Sequence, residues 1–170
     1  MLTVETIVLS PEDQALVTSL AEIRTRDSRE CGYVDRKCSP DDGSHIDLLG
    51  MGGELAFARL KNLKPDLSGK RNDYDCLYNG KTIDVKTTEA KNGKVRLNVS
   101  GNKSTHRCDW YVLMLCDWPT FQLVGCAPAS MVFDPKYERP NAYGKPGTYF
   151  SINASELLPN SPIEHMENVQ

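Results

Sequence analysis

The pattern of apolar and polar positions at the start of the chain predicts a strand followed by a helix. Residues 2–9 are rich in apolar and β-branched side chains, as strands are. Ser10 and Pro11 then form a helix-start signal, since serine caps free backbone N–H groups and proline fits the first turn. We expect this first helix to last about four turns. Its apolar stripe comprises Leu16, Leu20 and Ile23.

A second helix is predicted to begin at Glu54. The polar residues 25–47 show no sustained period, and we expect a long loop there with at most one short helix. The glycine-rich residues 50–53 lead into Glu54, after which apolar side chains recur at helical spacing. Those positions are Ala56, Leu60 and Leu63.

A β-hairpin is predicted next. Strand-like runs at residues 74–78 and 81–88 flank an Asn-Gly pair at 79–80. Asn-Gly between two such runs is a strong signal for a two-residue turn. With that turn, Asp75 comes directly opposite Asp84 on the neighbouring strand.

The rest of the chain predicts further strands and a covering tail. Residues 95–99 alternate between apolar and polar side chains. Residues 110–116 and 121–126 are apolar throughout, as expected for central strands covered on both faces by helices. Five prolines interrupt residues 134–170, so this tail, with one strand at 149–152, should wrap the domain rather than form another.

Length and composition fit one globular domain. The 170 residues are 39% apolar and 25% charged, which is enough to bury a continuous core. Together with the order of elements, they predict a single α/β domain over residues 1–170, with a central mixed β-sheet flanked by helices. No apolar run is long enough to span a bilayer, and residues 1–14 lack signal-peptide features, so we expect a soluble, intracellular protein.

The predicted hairpin concentrates acidic side chains on one face. Asp75 and Asp84 are like charges in cross-strand contact, which is destabilising unless a cation lies between them. Side chains alternate along a strand, so Lys86 shares the face of Asp84 while apolar neighbours point the other way. Carboxylate oxygens, with the Val85 carbonyl and a water, suit magnesium or manganese better than zinc. Glu54 would complete this shell.

These residues occur in the order of a known motif: Glu54, Asp75, Asp84, Val85, Lys86. They resemble the site of the PD-(D/E)XK phosphodiesterases, which include restriction endonucleases, recombination nucleases and small phage proteins. There, a helix bearing glutamate precedes strands that carry the first aspartate and then D/E-x-K. The resemblance covers residues 50–126 and implies a restriction endonuclease-like core. Tyr74 stands where the motif has proline.

The resemblance implies a metal-dependent deoxyribonuclease. A Mg²⁺ or Mn²⁺ ion held by Glu54, Asp75, Asp84 and the Val85 carbonyl would bind a nonbridging phosphate oxygen and lower the pKa of a coordinated water. Lys86 would orient that water and neutralise charge on the phosphorus. Whether Lys86 is also the general base, and whether one or two metal ions bind, stays open.

Further contacts are less specific. Asp73 is a candidate for an extra metal ligand, with a salt bridge to Lys86 as the simpler interpretation. Four basic side chains are candidates for phosphate contact, and for each the alternative is an ordinary solvated surface residue. They are Arg59, Lys61, Lys103 and His106.

Charge indicates where an anionic ligand would bind. The net charge of −3 argues against a protein that coats nucleic acid through a large basic surface. Lysine and arginine nevertheless concentrate in the middle third of the chain, so DNA is expected to bind there. By analogy with other small nuclease domains, action on structured or end-bearing DNA, or a homodimer that reaches both strands, is consistent with this size.

The cysteines favour a reducing compartment. None of the six forms a CxxC pair, and Cys76, Cys116 and Cys126 lie in apolar or strand-like runs, so we expect free and mostly buried thiols. A zinc site is the alternative for three other residues, although their spacing matches no standard zinc module. They are Cys31, Cys38 and His45.

Three functions are compatible with these patterns. The first is a DNA endonuclease or exonuclease. The second is a catalytically silent nuclease-fold module that binds DNA or a protein partner, for instance a regulatory or anti-host phage protein. The third is an interaction protein whose hairpin matches the motif by chance. The compact chain resembles phage nucleases, which would place it in the cytoplasm of a bacterium or an infected host cell. No target-recognition domain is evident, so sequence-specific cutting is not predicted.

Overall fold

A computed structural model describes residues 4–32, 43–67, 74–90, 93–142 and 144–167. The strands in chain order are β1 (Thr6–Val8), β2 (Cys76–Tyr78), β3 (Lys81–Glu89), β4 (Arg96–Ser100), β5 (Trp110–Asp117), β6 (Thr120–Pro128), β7 (Glu138–Pro140) and β8 (Thr148–Asn153). The α-helices are α1 (Pro11–Glu30), α2 (Gly43–Leu60), α3 (Ala129–Val132) and α4 (Pro162–Glu167). Short 3₁₀ helices lie at Gly101–Ser104, Pro135–Tyr137 and Ala154–Glu156.

Two sheets form the framework. The main sheet has the order β1-β6-β5-β3-β2, in which β3 and β5 are parallel and the other pairs are antiparallel. The smaller sheet, β4-β8-β7, is antiparallel throughout. The prediction of a mixed α/β protein with a central mixed sheet is therefore confirmed. The apolar runs predicted as central strands are β5 and β6, which lie in the interior of the main sheet.

The main sheet is covered differently on its two faces. One core joins the sheet to α1 and α2 and includes Leu55, Phe57, Ile83 and Val85. A second core on the opposite face joins β5 and β6 to the small sheet and to α3. On this second face α3 is a single short helix and the small sheet covers most of the core, so the expectation of helices on both faces holds only in part. Residues 95–99 alternate in polarity because β4 belongs to the small sheet, whose exposed face carries the polar side chains.

The first two helices are longer than the sequence pattern predicts. Ser10 caps α1 as expected, its hydroxyl accepting from the Asp13 N–H at 3.1 Å. The helix then continues to Glu30, and α2 begins at Gly43 rather than at Glu54. Part of the predicted loop at 25–47 is therefore helical. A hydrogen bond of 2.7 Å from the Thr25 hydroxyl to Asp47 joins the two helices there.

Glycines let α2 approach the sheet closely. An added Cβ at Gly52 would lie 2.7 Å from the Phe121 ring, and one at Gly53 would lie 1.8 Å from the Thr87 hydroxyl oxygen. Real Cβ atoms do not approach other atoms so closely, so only glycine fits at this helix-sheet contact. The glycine-rich segment that was expected to precede the helix is thus part of it and forms its contact with the sheet, which brings Glu54 against β3.

The hairpin has the predicted turn and register. Asn79 and Gly80 both have positive φ, 48° and 72°, as a tight two-residue turn requires. The register pairs Tyr78 with Lys81, Leu77 with Thr82, and Cys76 with Ile83. The pairing ends there, because β2 begins at Cys76 and not at Tyr74. Asp75 therefore lies just outside the strand.

The tail after residue 134 supplies secondary structure. The predicted strand at 149–152 is β8, which pairs with β4 in register from Arg96–Asn153 to Ser100–Tyr149. An ion-pair cluster holds the last helix, where Lys61 donates to Glu5 at 2.7 Å and to Glu164 at 2.5 Å. No helix within the described ranges is long and apolar enough to cross a membrane.

Candidate metal centre

Asp84 is the buried charge at the middle of the candidate centre. It lies on β3, on the face covered by the second core, and only 1% of the residue is exposed. Its carboxylate accepts hydrogen bonds from two ammonium groups, those of Lys86 on the same strand and of Lys103 on the Gly101–Ser104 helix. The Lys103 Nζ to Asp84 Oδ2 distance is 2.6 Å. Burial of a carboxylate is costly unless cations compensate it, and two are present here.

Asp75 lies at the edge of the sheet, beyond the end of β2. Its N–H donates to the Ile83 carbonyl at 2.9 Å, and its carboxylate accepts from the Val85 N–H at 2.7 Å. The expected direct pairing of Asp75 with Asp84 across the hairpin does not form, because the ladder stops one residue earlier. The Asp75 carboxylate instead accepts the hydrogen bond from the Val85 N–H, for which β2 supplies no backbone carbonyl.

The environment of Asp75 disfavours its negative charge. Burial, reinforced by the charges of Glu54 and Asp84, raises the pKa of Asp75 from its ordinary 3.8 to about 7. The Lys86 ammonium and the hydrogen bond from the Val85 N–H oppose this shift without cancelling it. Among the residues that the structure describes, no basic side chain forms a salt bridge with Asp75, so its charge is the least compensated of the three carboxylates.

Glu54 reaches the same edge from the other layer. Its side chain, 16% exposed, accepts from Arg24 of α1 at 3.3 Å. Burial raises the pKa of Glu54, Arg24 opposes the shift, and Asp84 contributes to it. Glu54 and Asp75 also line one enclosed cavity of about 10 Å³, roughly the room of one water molecule. Glu54 and Asp75 therefore lie together at this cavity, and the pKa of each is raised further by the charge of Asp84.

The donor set fits a hard divalent cation. All three side chains offer carboxylate oxygens, and such oxygens suit Mg²⁺ or Mn²⁺ better than zinc. The Val85 carbonyl points to the same edge as Asp75, because the N–H and C=O of one strand residue share a side and this N–H binds Asp75. The described residues contain no group of three side chains already placed to bind a metal ion. Arg24 pairs with Glu54, and Lys86 and Lys103 pair with Asp84.

The other predicted nucleic-acid contacts divide into two groups. Lys103 is in the centre, and His106 is exposed just beyond the same 3₁₀ helix. Arg59 and Lys61 lie elsewhere and are both ion-paired. Arg59 forms two hydrogen bonds with Asp13, at 2.9 and 3.2 Å, and Lys61 is only 9% exposed and bound to two glutamates.

The remaining candidate ligands do not add to the centre. Asp73 and Cys38 lie outside the described residues. Cys31 is exposed, and His45 of the zinc alternative contacts Glu89 at 3.2 Å. The described cysteines are all free, and the expectation of buried thiols is confirmed for four of them: Cys76, Cys108, Cys116 and Cys126.

Arg24 is the residue of this centre that sequence patterns missed. It follows Ile23, the last member of the apolar stripe of α1, and the predicted loop was expected to begin directly after it. A basic residue beside an apolar stripe is usually solvated. Only the packing of α1 on α2 reveals that Arg24 meets Glu54.

Asp75→Asn is expected to stabilise the protein in EDTA. Asparagine keeps the oxygen that accepts from Val85 and removes an uncompensated buried charge. Because folding raises the pKa of Asp75, the folded state holds its proton more tightly, so stability is lost as the pH rises from about 4 to about 7. We expect the variant to exceed wild type by at least about 1 kcal/mol near pH 8 and by much less near pH 5 in urea titrations.

Asp109→Asn is the control, because the pKa of Asp109 is shifted in the opposite direction to that of Asp75. The backbone N–H of Thr82 donates to Asp109 at 2.8 Å and lowers its pKa. Its neutralisation should not stabilise the protein at either pH. An Asp75→Asn variant that is less stable than wild type near pH 8 would contradict the argument for uncompensated charge.

The fold and this centre define a mixed α/β protein with three acidic side chains and two lysines at the edge of its main sheet. Residues 5–117, which contain all five of these side chains, match a family of unknown function, DUF5843. The chain belongs to this family. Comparison with curated proteins gave no match, and neither did comparison with solved structures.

Proposed function

We propose that this protein is a divalent-metal-dependent nuclease that hydrolyses phosphodiester bonds of DNA. The observation that carries the proposal is that Glu54 and Asp75 share one cavity and that both interact electrostatically with Asp84 and Lys86. One buried and two partly buried carboxylates, one of them without a salt-bridge partner among the described residues, cost stability, and such costs concentrate at functional sites. A solvated hairpin would not require this burial.

Each side chain has a distinct part in the proposed reaction. Glu54, Asp75 and Asp84 would hold a Mg²⁺ or Mn²⁺ ion, with the Val85 carbonyl beside them. When bound, the metal supplies Lewis-acid stabilisation of phosphate charge and activation of water. Lys86 lies on the face of Asp84 and is 30% exposed, so its ammonium reaches both the carboxylate and an incoming phosphate. It would orient the attacking water and neutralise charge that develops on phosphorus.

We further propose that the core is restriction endonuclease-like. Support comes from the order of the site residues on α2 and on the β2-β3 hairpin, which is the order of the PD-(D/E)XK motif. The parallel neighbour β5 and the antiparallel β6 extend that sheet. One strand does not extend the main sheet: β4 follows β3 in the chain but belongs to the small sheet.

DNA cleavage by the purified protein tests the proposed activity. We expect wild type to cut linear, circular or single-stranded DNA with Mg²⁺ or Mn²⁺ and not with EDTA. Lys86→Met, purified identically, should retain metal binding and lose at least about 100-fold in rate. Gel electrophoresis gives the rates, and cutting of the circular form distinguishes an endonuclease from an exonuclease.

Equal cutting by wild type and Lys86→Met would indicate a contaminating nuclease. The matched control is Lys94→Met, which removes an exposed lysine that is not among the salt-bridge partners of Glu54 and Asp84, and it should cut like wild type. If wild type cuts none of the substrates and calorimetry shows no metal binding, the proposed activity and its site are both wrong.

A catalytically silent binding module is the second candidate. The ion pairs of Glu54 with Arg24 and of Asp84 with two lysines favour it, because these cations satisfy the carboxylates without a metal. Its signature is tight binding of DNA or of a protein partner without turnover. Metal binding by wild type in calorimetry, combined with metal-dependent cutting, excludes this alternative.

A further inference from the structure

Lys103 is a second cation on a carboxylate that already has one. Its Nζ lies 2.6 Å from Asp84 Oδ2, while Lys86 binds Oδ1. Both oxygens of Asp84 are therefore engaged by ammonium groups. Burial lowers the pKa of Lys103, but the charge and hydrogen bond of Asp84, together with Asp75, outweigh burial and raise it. Lys103 is thus held in its charged form.

A divalent cation cannot share Asp84 with both ammonium groups at these distances. Oxygen ligands lie about 2.0–2.1 Å from Mg²⁺, so a bound ion would stand where an ammonium now stands and would repel it. Lys86 belongs to β3, which pairs with β5 from Ile83 to Glu89, and the proposed reaction uses it beside the metal. Lys103 comes from a four-residue 3₁₀ helix outside the main sheet, and its side chain is 33% exposed.

We propose that Lys103 is an additional substrate-binding residue of this centre, which stays on Asp84 until a divalent metal displaces it. The displaced ammonium then lies at the mouth of the centre, where it binds a phosphate of the nucleic acid. This inference rests on the proposed nuclease function but makes separate demands. It requires Lys103 to weaken metal binding and to strengthen metal-dependent DNA binding.

Backbone anchoring confines the exchange to the Lys103 side chain. The 3₁₀ helix follows β4 directly, and Gly101 at its start packs against Thr148, where an added Cβ would lie 2.6 Å from the backbone oxygen. The His106 N–H donates to the Lys103 carbonyl at 3.2 Å. The long lysine side chain can rotate between Asp84 and solvent without moving this segment, and Lys103 needs no conformational change of the fold.

Metal titration separates this role from a structural one. We would titrate Mn²⁺ by calorimetry into full-length wild type, Lys103→Met and Lys103→Arg. Lys103→Met removes the competing charge and should bind Mn²⁺ at least about threefold more tightly, whereas Lys103→Arg keeps the charge and should not gain affinity. Unchanged or weaker binding by Lys103→Met would overturn the inference.

DNA binding tests the second demand without turnover. In a Lys86→Met background with saturating Mn²⁺, adding Lys103→Met should weaken binding of a short DNA duplex. The slope of log K against log salt concentration should also become shallower by about one. Adding Lys94→Met instead controls for loss of an exposed positive charge. If Lys103→Met weakens binding no more than Lys94→Met does, the substrate role is wrong.

Failure of this inference differs from failure of the nuclease proposal. If wild type cuts DNA and the Lys103 variants bind Mn²⁺ with the affinity of wild type, only the role of Lys103 is overturned. If both predictions for Lys103 hold but wild type does not cut DNA, Lys103 acts in a binding module and the nuclease proposal is overturned. No Mn²⁺ binding by any variant overturns both.

Discussion

Asp84→Asn is expected to reduce metal-dependent DNA cleavage by at least about 1,000-fold, the scale of losing charged stabilisation at a reacting phosphate. Asp84 supplies the most buried carboxylate of the centre and contacts both lysines. Asparagine has nearly the same shape but no charge, so it weakens the metal site and leaves two ammonium groups without their shared partner. The rate should fall at every metal concentration.

The folding of Asp84→Asn must be measured alongside its activity. Circular dichroism and a melting curve show whether the variant folds, and a Mn²⁺ titration shows whether metal binding is lost. Asp134→Asn is the matched control, because Asp134 is a partly buried residue that caps a 3₁₀ helix by accepting from Lys136 N–H, which asparagine does equally well. A folded Asp84→Asn protein that cleaves like wild type would remove Asp84 from the reaction.

Gly53→Ala is expected to destabilise the protein by about 2–3 kcal/mol, because the added Cβ overpacks the contact between α2 and β3. That Cβ would lie 1.8 Å from Thr87 Oγ1 and 3.0 Å from Thr87 Cβ, so rotating the threonine does not remove the clash. The free energy of unfolding from urea titration gives the effect. Metal affinity should also fall, since Glu54 is the next residue.

Two further variants test this explanation of Gly53. Gly50→Ala lies in the same helix with no atom within 4 Å of the added Cβ, so it should stabilise by about 0.5–1 kcal/mol. Thr87→Ala removes the clashing hydroxyl, whose oxygen is buried without a hydrogen-bond partner among the described residues. Gly53→Ala should cost less in that background. Equal costs in both backgrounds would refute a local clash.

The elements with strong local signals were predictable from the sequence. The Asn-Gly pair specifies the turn through positive φ, and the turn specifies the register as far as Cys76–Ile83. The apolar run at 110–116 identifies a strand covered on both faces. The start of α2 was predicted wrongly because it depends on tertiary contacts. Gly52 and Gly53 break isolated helices, but here close packing against Phe121 and Thr87 outweighs their low propensity.

The candidate site was predictable in its members more than in its arrangement. The alternation of side chains along the predicted hairpin and the predicted start of the second helix were enough to name four members: Glu54, Asp75, Asp84 and Lys86. The departure of Asp75 from the ladder could not, because it depends on where pairing with β3 ends. The partnership of Arg24 with Glu54 and of Lys103 with Asp84 joins residues far apart in sequence, which no local pattern indicates.

The pairing of β4 with β8 makes the centre depend on the far end of the chain. Lys103 follows β4. In the described part of the chain, the strand that pairs with β4 is β8, which lies beyond residue 117, where the family match ends. A fragment limited to the matched residues would lack β6 and β8, and it would leave β1, β5 and β4 without these strand neighbours. Such long-range pairing raises contact order and slows folding. The backbone N–H groups of the residues that carry the carboxylates and of Lys103 should therefore acquire protection from hydrogen exchange late, in one cooperative step with the tail.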